Sequence, residues 1–231
     1  PSDAGGIGAS SMATNQLSND APATSLFPQF ENTIYQWVSA EVQGLTDAQL
    51  DFESDQWEWS KWSIRRNLSH LASGDLRWIW NRWGKVLFPK GLAKGEEYDR
   101  LLDSPFDRRL DENLYWEPEA LLEKLTLGLD LCWSVLSSET VGSLRSKELE
   151  SPATGLFTQY PQLFPGGVRP VPGDSTKVYI NLETTFLHRY YEFTTHLFNV
   201  QRLKRAQGVS GTIEIPADGY WALPEWDRSE A

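Results

Sequence analysis

Three residues of the segment 181–207 could do chemistry together: His188, Glu192 and His196 follow one another at four-residue steps. On a helix each such step returns to nearly the same face and climbs about 6 Å, so neighbours in the series can reach one ion. The two ends, about 12 Å apart along the axis, cannot easily share it. Imidazole and carboxylate groups at this spacing are good ligands for zinc, nickel or ferrous iron. A buried hydrogen-bond network or a solvated helix face would show the same spacing.

His70 is the one remaining histidine of the chain, so any histidine-based chemistry must draw on these three rings. It falls in the middle of another helical segment, off the main apolar stripe and on the same side as Asn67. Its type and place fit a third metal ligand that a second helix supplies. They fit a surface or hydrogen-bonded histidine equally well, and the spacing leaves both interpretations open.

The elements that must position these residues are four helices. Apolar residues at three- and four-residue steps predict helices over 25–42, 62–83, 181–207 and from Pro118 to before Gly142. Long connections over 85–116 and 143–180, rich in proline and glycine, separate them. The sequence therefore predicts an all-α fold, a four-helix bundle with long crossover connections.

The pattern also divides the chain into three regions. Residues 1–25 are small and polar, and we predict a flexible N-terminal tail there. The bundle occupies 26–208. Residues 209–231 are predicted to be an irregular C-terminal tail that packs on the bundle through its aromatic side chains.

Composition excludes several classes of function. Hydrophobic residues make up 40% of the chain and charged residues 23%, as in an ordinary globular protein. The net charge of -11 argues against binding to nucleic acid and to anionic membrane surfaces. Apolar runs are short and the N-terminus lacks the pattern of a secretory signal, so we expect no membrane span and a cytoplasmic location. The single cysteine, Cys132, excludes an internal disulfide and a zinc site built on several thiolates.

Two blocks of sequence carry a family resemblance. In residues 44–73, Trp62-Ser63-Ile64 is followed by His70; in residues 192–208, His196 is followed by a polar residue three positions on and by a glycine twelve positions on. In both blocks the chain resembles the DinB/YfiT-like superfamily of four-helix bundles, over about residues 26–208.

This resemblance implies a divalent metal bound by three side chains, one from the second helix and two from the fourth. His70 and His196 match the histidine positions, whereas Glu192 stands where the family usually has a third histidine. Two histidines and a carboxylate still form a competent set with positions open for water or substrate. The departure also fits a member that has lost its metal. His188, one turn earlier, could replace Glu192 as a ligand, hydrogen-bond to it, or act as an acid–base group.

The activities that the resemblance implies are metal-dependent hydrolysis and transfer of a small thiol to an electrophile. The metal would lower the pKa of bound water or thiol, and His188 or Glu192 would be the base. The alternative is a metal-free helical bundle that binds a small ligand or a protein partner. A homodimer is compatible with the sequence, since bundles of this type often pair along exposed helix faces.

Overall fold

The computed structural model describes residues 17–231, and these divide into two compact units. The sheet unit comprises residues 17–28 and 134–184. The helical unit comprises residues 29–133 and 185–231. None of the helices in the described range is both long enough and apolar enough to cross a membrane.

The helices of the described chain range from one turn to seven. In chain order they are α1 (Thr33–Val42), α2 (Asp47–Asp51), α3 (Ile64–Asp75), α4 (Gly84–Leu87), α5 (Gly95–Leu102), α6 (Pro118–Ser138), α7 (Val141–Ser146), α8 (Leu156–Gln159) and α9 (Leu182–Ala206). The longest helix, α9, matches the predicted fourth helix within one residue at each end, and α6 begins at Pro118 as predicted. However, α6 ends at Ser138, and Gly142, the predicted stop, lies inside α7. Gly208, with φ +76°, provides the left-handed turn that follows α9.

The second predicted helix, 62–83, has a composite structure. Ser63 caps it, because its Oγ accepts the N–H of Arg66 at 3.1 Å. The helix is α-helical only as far as Asp75 and continues as a π-helical segment over Leu76–Arg82. Five-residue π spacing widens the turn and changes the direction in which side chains leave the helix.

The sheet unit corrects the predicted fold class. It contains strands β1 (Glu148–Pro152), β2 (Val168–Val171) and β3 (Asp174–Asn181), which pair antiparallel in the order β1-β3-β2. Helices hold 55% of the described residues and strands 9%, so the protein is mixed α/β and the all-α prediction is wrong.

The error arose from the prolines of 143–180, which made this connection look irregular. Pro152 and Pro170 lie on β1 and β2, the two edge strands, where a missing N–H is tolerated. The central strand β3 contains no proline, and its Val178 and Ile180 alternate as buried residues.

Of the tail predicted over 1–25, residues 1–16 lie outside the described residues. Beyond that, residues Ala23–Ser25 form a short 3-10 helix. Ala23 is buried, and its N–H donates to the carbonyl of Glu139 at 3.1 Å. Ala23 is thus packed within the sheet unit.

Candidate metal centre

His70 on α3 and the pair Glu192 and His196 on α9 converge within the helical unit. One ligand atom from each lies within 4.8 Å of the other two. Glu192 Oε2 is 3.3 Å from Nε2 of His70 and 3.3 Å from Nε2 of His196. A tetrahedral zinc site separates its ligand atoms by about 3.4 Å, so two of the three separations already match. The described part of the chain thus contains a side-chain triad that could hold a metal.

Close packing of α3 on α9 brings these side chains together. Gly74 lets the helices approach, since a Cβ there would stand 2.2 Å from Nη2 of Arg189. The guanidinium of Arg189 donates through Nε to Asp75 at 2.8 Å, and both side chains are almost fully buried. A fixed crossing point one turn from His70 therefore sets the distance between the helices that bear the triad.

The ring of His70 is oriented by a backbone carbonyl. Its Nδ1 lies 2.8 Å from the carbonyl oxygen of Arg108, which can only accept, so Nδ1 carries the hydrogen. Arg108 is the one non-glycine residue of the described chain with positive φ, at +53°. Such backbone is strained for a side chain of this kind, and strain of this type concentrates at functional sites.

The ring of His196 is oriented in the same way by Asn67. Nδ1 of His196 lies 2.7 Å from Oδ1 of Asn67. The amide nitrogen of Asn67 donates to the carbonyls of Trp62 and Ser63, at 3.2 and 2.9 Å. Those two bonds fix which end of the amide is oxygen, so Nδ1 of His196 must be the donor.

Both imidazoles therefore direct Nε2 towards Glu192. Burial, together with the nearby charge of His196, lowers the pKa of His70 to about 4, so that ring is neutral at pH 7. Burial alone would raise the pKa of Glu192. The neighbouring imidazoles of His196, His70 and His188 overcome this effect and hold that pKa well below its ordinary value. A carboxylate oxygen and the lone pair of His70 Nε2 face each other without a hydrogen between them, and a cation removes that conflict.

The surroundings of the triad are aromatic and basic. The Trp62 ring lies 5.1 Å from the His70 ring and 6.3 Å from the His196 ring, centroid to centroid. Among the described residues, no arginine or lysine lies within 4 Å of the Glu192 carboxylate. Burial lowers the pKa of the neighbouring Arg77 to about 10, which leaves it charged at neutral pH.

His188 lies apart from the triad. Its Nδ1 is 2.6 Å from the hydroxyl of Tyr220, and its ring packs edge-on against Trp78 with centroids 5.0 Å apart. Burial lowers the pKa of His188 to about 4. Of the roles considered for His188, this placement does not support a ligand of the same ion, and a role as base stays a prediction.

Sequence reasoning located the triad but missed most of what orients it. Asn67 had a signal, because it lies one turn before His70 on the same side of the helix. The carbonyl of Arg108 had none, since any residue type carries one. Tyr220 belongs to the C-terminal segment, for which the sequence predicts packing but no particular contact.

Comparison of the chain with protein-family models, with curated proteins and with solved structures finds no match.

Proposed function

We propose that the protein is a divalent-metal-dependent enzyme that hydrolyses a small molecule or transfers a thiol to it, with the ion bound by His70, Glu192 and His196. One observation carries the proposal: two imidazoles, each with Nδ1 bound to an oxygen acceptor, present Nε2 to the same carboxylate oxygen. Histidines that bind metals are oriented by this kind of outer hydrogen bond.

The residues present fit a metal such as zinc, nickel or iron. Two histidines and one carboxylate satisfy the preferences of these ions and leave positions for water or substrate. The bound ion would act as a Lewis acid and lower the pKa of a water or thiol at neutral pH. Glu192 meets both histidines through Oε2. Its other carboxylate oxygen remains to accept the proton that such a nucleophile loses.

The relationship to the DinB/YfiT-like superfamily is part of this proposal. It is supported by Trp62-Ser63-Ile64 and by the convergence of His70 with His196, the two positions that match the family's histidines. The carboxylate at position 192 is this chain's departure, and its charge would favour a harder ion than a third imidazole would.

Metal content decides the proposal. The purified full chain is stripped with a chelator, resupplied with zinc, nickel or ferrous iron, desalted, and analysed for metal per chain. We expect near-stoichiometric binding of at least one of these ions, with hydrolase and thiol-transfer assays then run on that form.

The variants His196→Ala and Glu192→Gln should lose the ion, whereas His188→Gln should retain it. Circular dichroism spectra and melting curves identify variants that fail to fold. A folded wild-type chain that stays metal-free after resupply would contradict the proposal of a metal-dependent enzyme. It would favour the alternative, a metal-free helical bundle that binds a small ligand or a protein partner.

A further inference from the structure

Arg77 is a half-buried cation beside the candidate centre, and the carboxylates of Glu192 and Asp107 act on it only from beyond 4 Å. It lies in the π-helical segment, and its Nη2 is 3.4 Å from Nδ1 of His70. Nδ1 already gives its hydrogen to the carbonyl of Arg108, so it offers Nη2 no lone pair. Nε of Arg77 donates to Ser73 Oγ at 3.3 Å, and no carboxylate of the described chain lies within 4 Å of the guanidinium.

Three arginines of α3 and α9 are paired with carboxylates. Arg65 binds Asp51 at 2.6 Å, Arg66 binds Glu112 at 2.9 Å, and Arg189 binds Asp75. Arg202 of α9, which forms no ion pair within the described residues, donates to the backbone carbonyls of Asp227 and Ser229, whereas the only oxygen acceptor of Arg77 in that part of the chain is Ser73 Oγ. Partial burial of an unpaired charge costs stability, so a compensating anion would be favourable.

The charge balance of the centre points the same way. Glu192 supplies one negative charge against the two positive charges of a divalent ion. Arg77 adds a further positive charge beside Nδ1 of His70, and Nε2 of the same ring faces Glu192. Arg109 lies near the same place, with its guanidinium 5.3 Å from the Trp62 ring centroid, but it is paired with Glu112. With a divalent ion bound, the excess positive charge would therefore lie at the ion and at Arg77.

We propose that Arg77 binds an anionic group of the substrate, a carboxylate or a phosphate, whose remainder lies at the metal. That the rest of the substrate lies at the metal rests on the proposed function. Binding of the anion by Arg77 does not depend on it. Guanidinium groups recognise both anions by paired hydrogen bonds, and the Nη atoms of Arg77 have no oxygen partner of this kind within the described residues.

Isothermal titration calorimetry of the full chain with acetate and with inorganic phosphate, at constant ionic strength, tests the inference. The two probes distinguish a carboxylate from a phosphate site. Arg77→Gln removes the charge at similar length, Arg77→Lys keeps it, and Arg100→Gln changes an exposed arginine of α5 as the matched control. Each protein is titrated metal-free and metal-loaded, with metal content measured on the same samples and folding checked by melting curves.

We expect saturable binding of at least one anion to the wild type, weakened roughly tenfold in Arg77→Gln, less in Arg77→Lys and not at all in Arg100→Gln. No saturable binding to the wild type, or equal binding to Arg77→Gln, would overturn the inference even if metal binds. Loss of metal binding with retained, Arg77-dependent anion binding would overturn the proposed enzyme and leave the anion site standing.

Discussion

Each imidazole of the candidate centre is fixed by a bond on the side away from Glu192. For His70 the acceptor is a backbone carbonyl, and for His196 it is the amide oxygen of Asn67. A ring held in this way loses little freedom when it binds an ion and presents a more basic nitrogen. The bonds on the outer side should therefore matter to metal affinity although they do not touch the metal.

Asn67→Ala tests this at one residue. The change leaves all three ligands in place but removes the acceptor for His196 Nδ1, so we expect metal affinity to fall by about 10- to 100-fold. Competition with a chromophoric chelator measures the affinity. Asn81→Ala, at an exposed position further along the same helical stretch, is the control and should bind as the wild type. Unchanged affinity in a folded Asn67→Ala chain would show that orientation of His196 contributes little.

His188 should make the stability of the metal-free protein depend on pH. The groups facing it are Tyr220 and the charges of Glu192, Arg189, Arg77 and Arg82. Its pKa is about 4 in the folded state against 6.5 ordinarily, so between these values the unfolded chain binds more protons. The free energy of unfolding should fall as the pH drops from 6.5 to 4, by on the order of 3 kcal/mol from this residue.

Urea unfolding at pH 7 and at pH 5, with a chelator present, measures the effect. The pKa of His70 is lowered in the same direction, so the wild type should show the sum of two contributions. His188→Gln should retain only the part that His70 contributes. A variant with the full wild-type pH dependence would mean that His188 does not titrate in this window.

At the scale of elements, the approach of α3 to α9 is set by Gly74. A Cβ at this position would stand 2.2 Å from Arg189 Nη2, and the guanidinium is held by Asp75 and cannot withdraw without breaking a buried ion pair. A side chain at position 74 would therefore displace the Arg189 guanidinium at the crossing of the helices that bear the triad.

Gly74→Ala should destabilise the protein by about 1–3 kcal/mol through overpacking. Gly84→Ala is the matched control, because its Cβ would meet only Trp80 Cε3, at an ordinary 3.9 Å, and alanine favours a helix. Chemical unfolding of the two variants should separate them clearly. If the two changes had equal effects, the crossing would be looser than the contact at Gly74 indicates.

The helices could be predicted from apolar periodicity to different degrees. The segments 118–138 and 182–206 are long and regular, and their extents follow from the spacing. Within 62–83 the same spacing does not reveal the change to π-helical bonds after Asp75, because apolar residues at three- and four-residue steps predict an ordinary α-helix there. The region 25–42 is helical from Thr33 and has only 3-10 turns before it.

At the scale of the whole molecule, the sequence predicted which residues meet better than it predicted the fold. His70, Glu192 and His196 converge, as their types, spacing and resemblance led us to expect. The sheet was missed because its edge strands carry prolines and its strands are short. The carbonyl of Arg108 could not be found from the sequence, since the position of a backbone atom depends on the whole path of the connection over 85–116.

The C-terminal segment shows how an irregular stretch can still be well packed. Within the helical unit, Arg202 of α9 lies between the rings of Trp59 and Trp221, 4.9 and 5.0 Å from their centroids. Its Nη1 donates to the carbonyls of Asp227 and Ser229. Stacked cation and ring contacts of this kind hold a segment without regular secondary structure.

The central claim is that one ion is bound where α3 meets α9. X-ray diffraction from crystals of the zinc-loaded protein, with data collected on both sides of the zinc absorption edge, locates the metal without reference to any model of the side chains. We expect an anomalous peak that places the zinc about 2.0–2.2 Å from His70 Nε2, from a carboxylate oxygen of Glu192 and from His196 Nε2. Zinc bound elsewhere, or no peak between these three side chains in crystals that retain the metal, would contradict it.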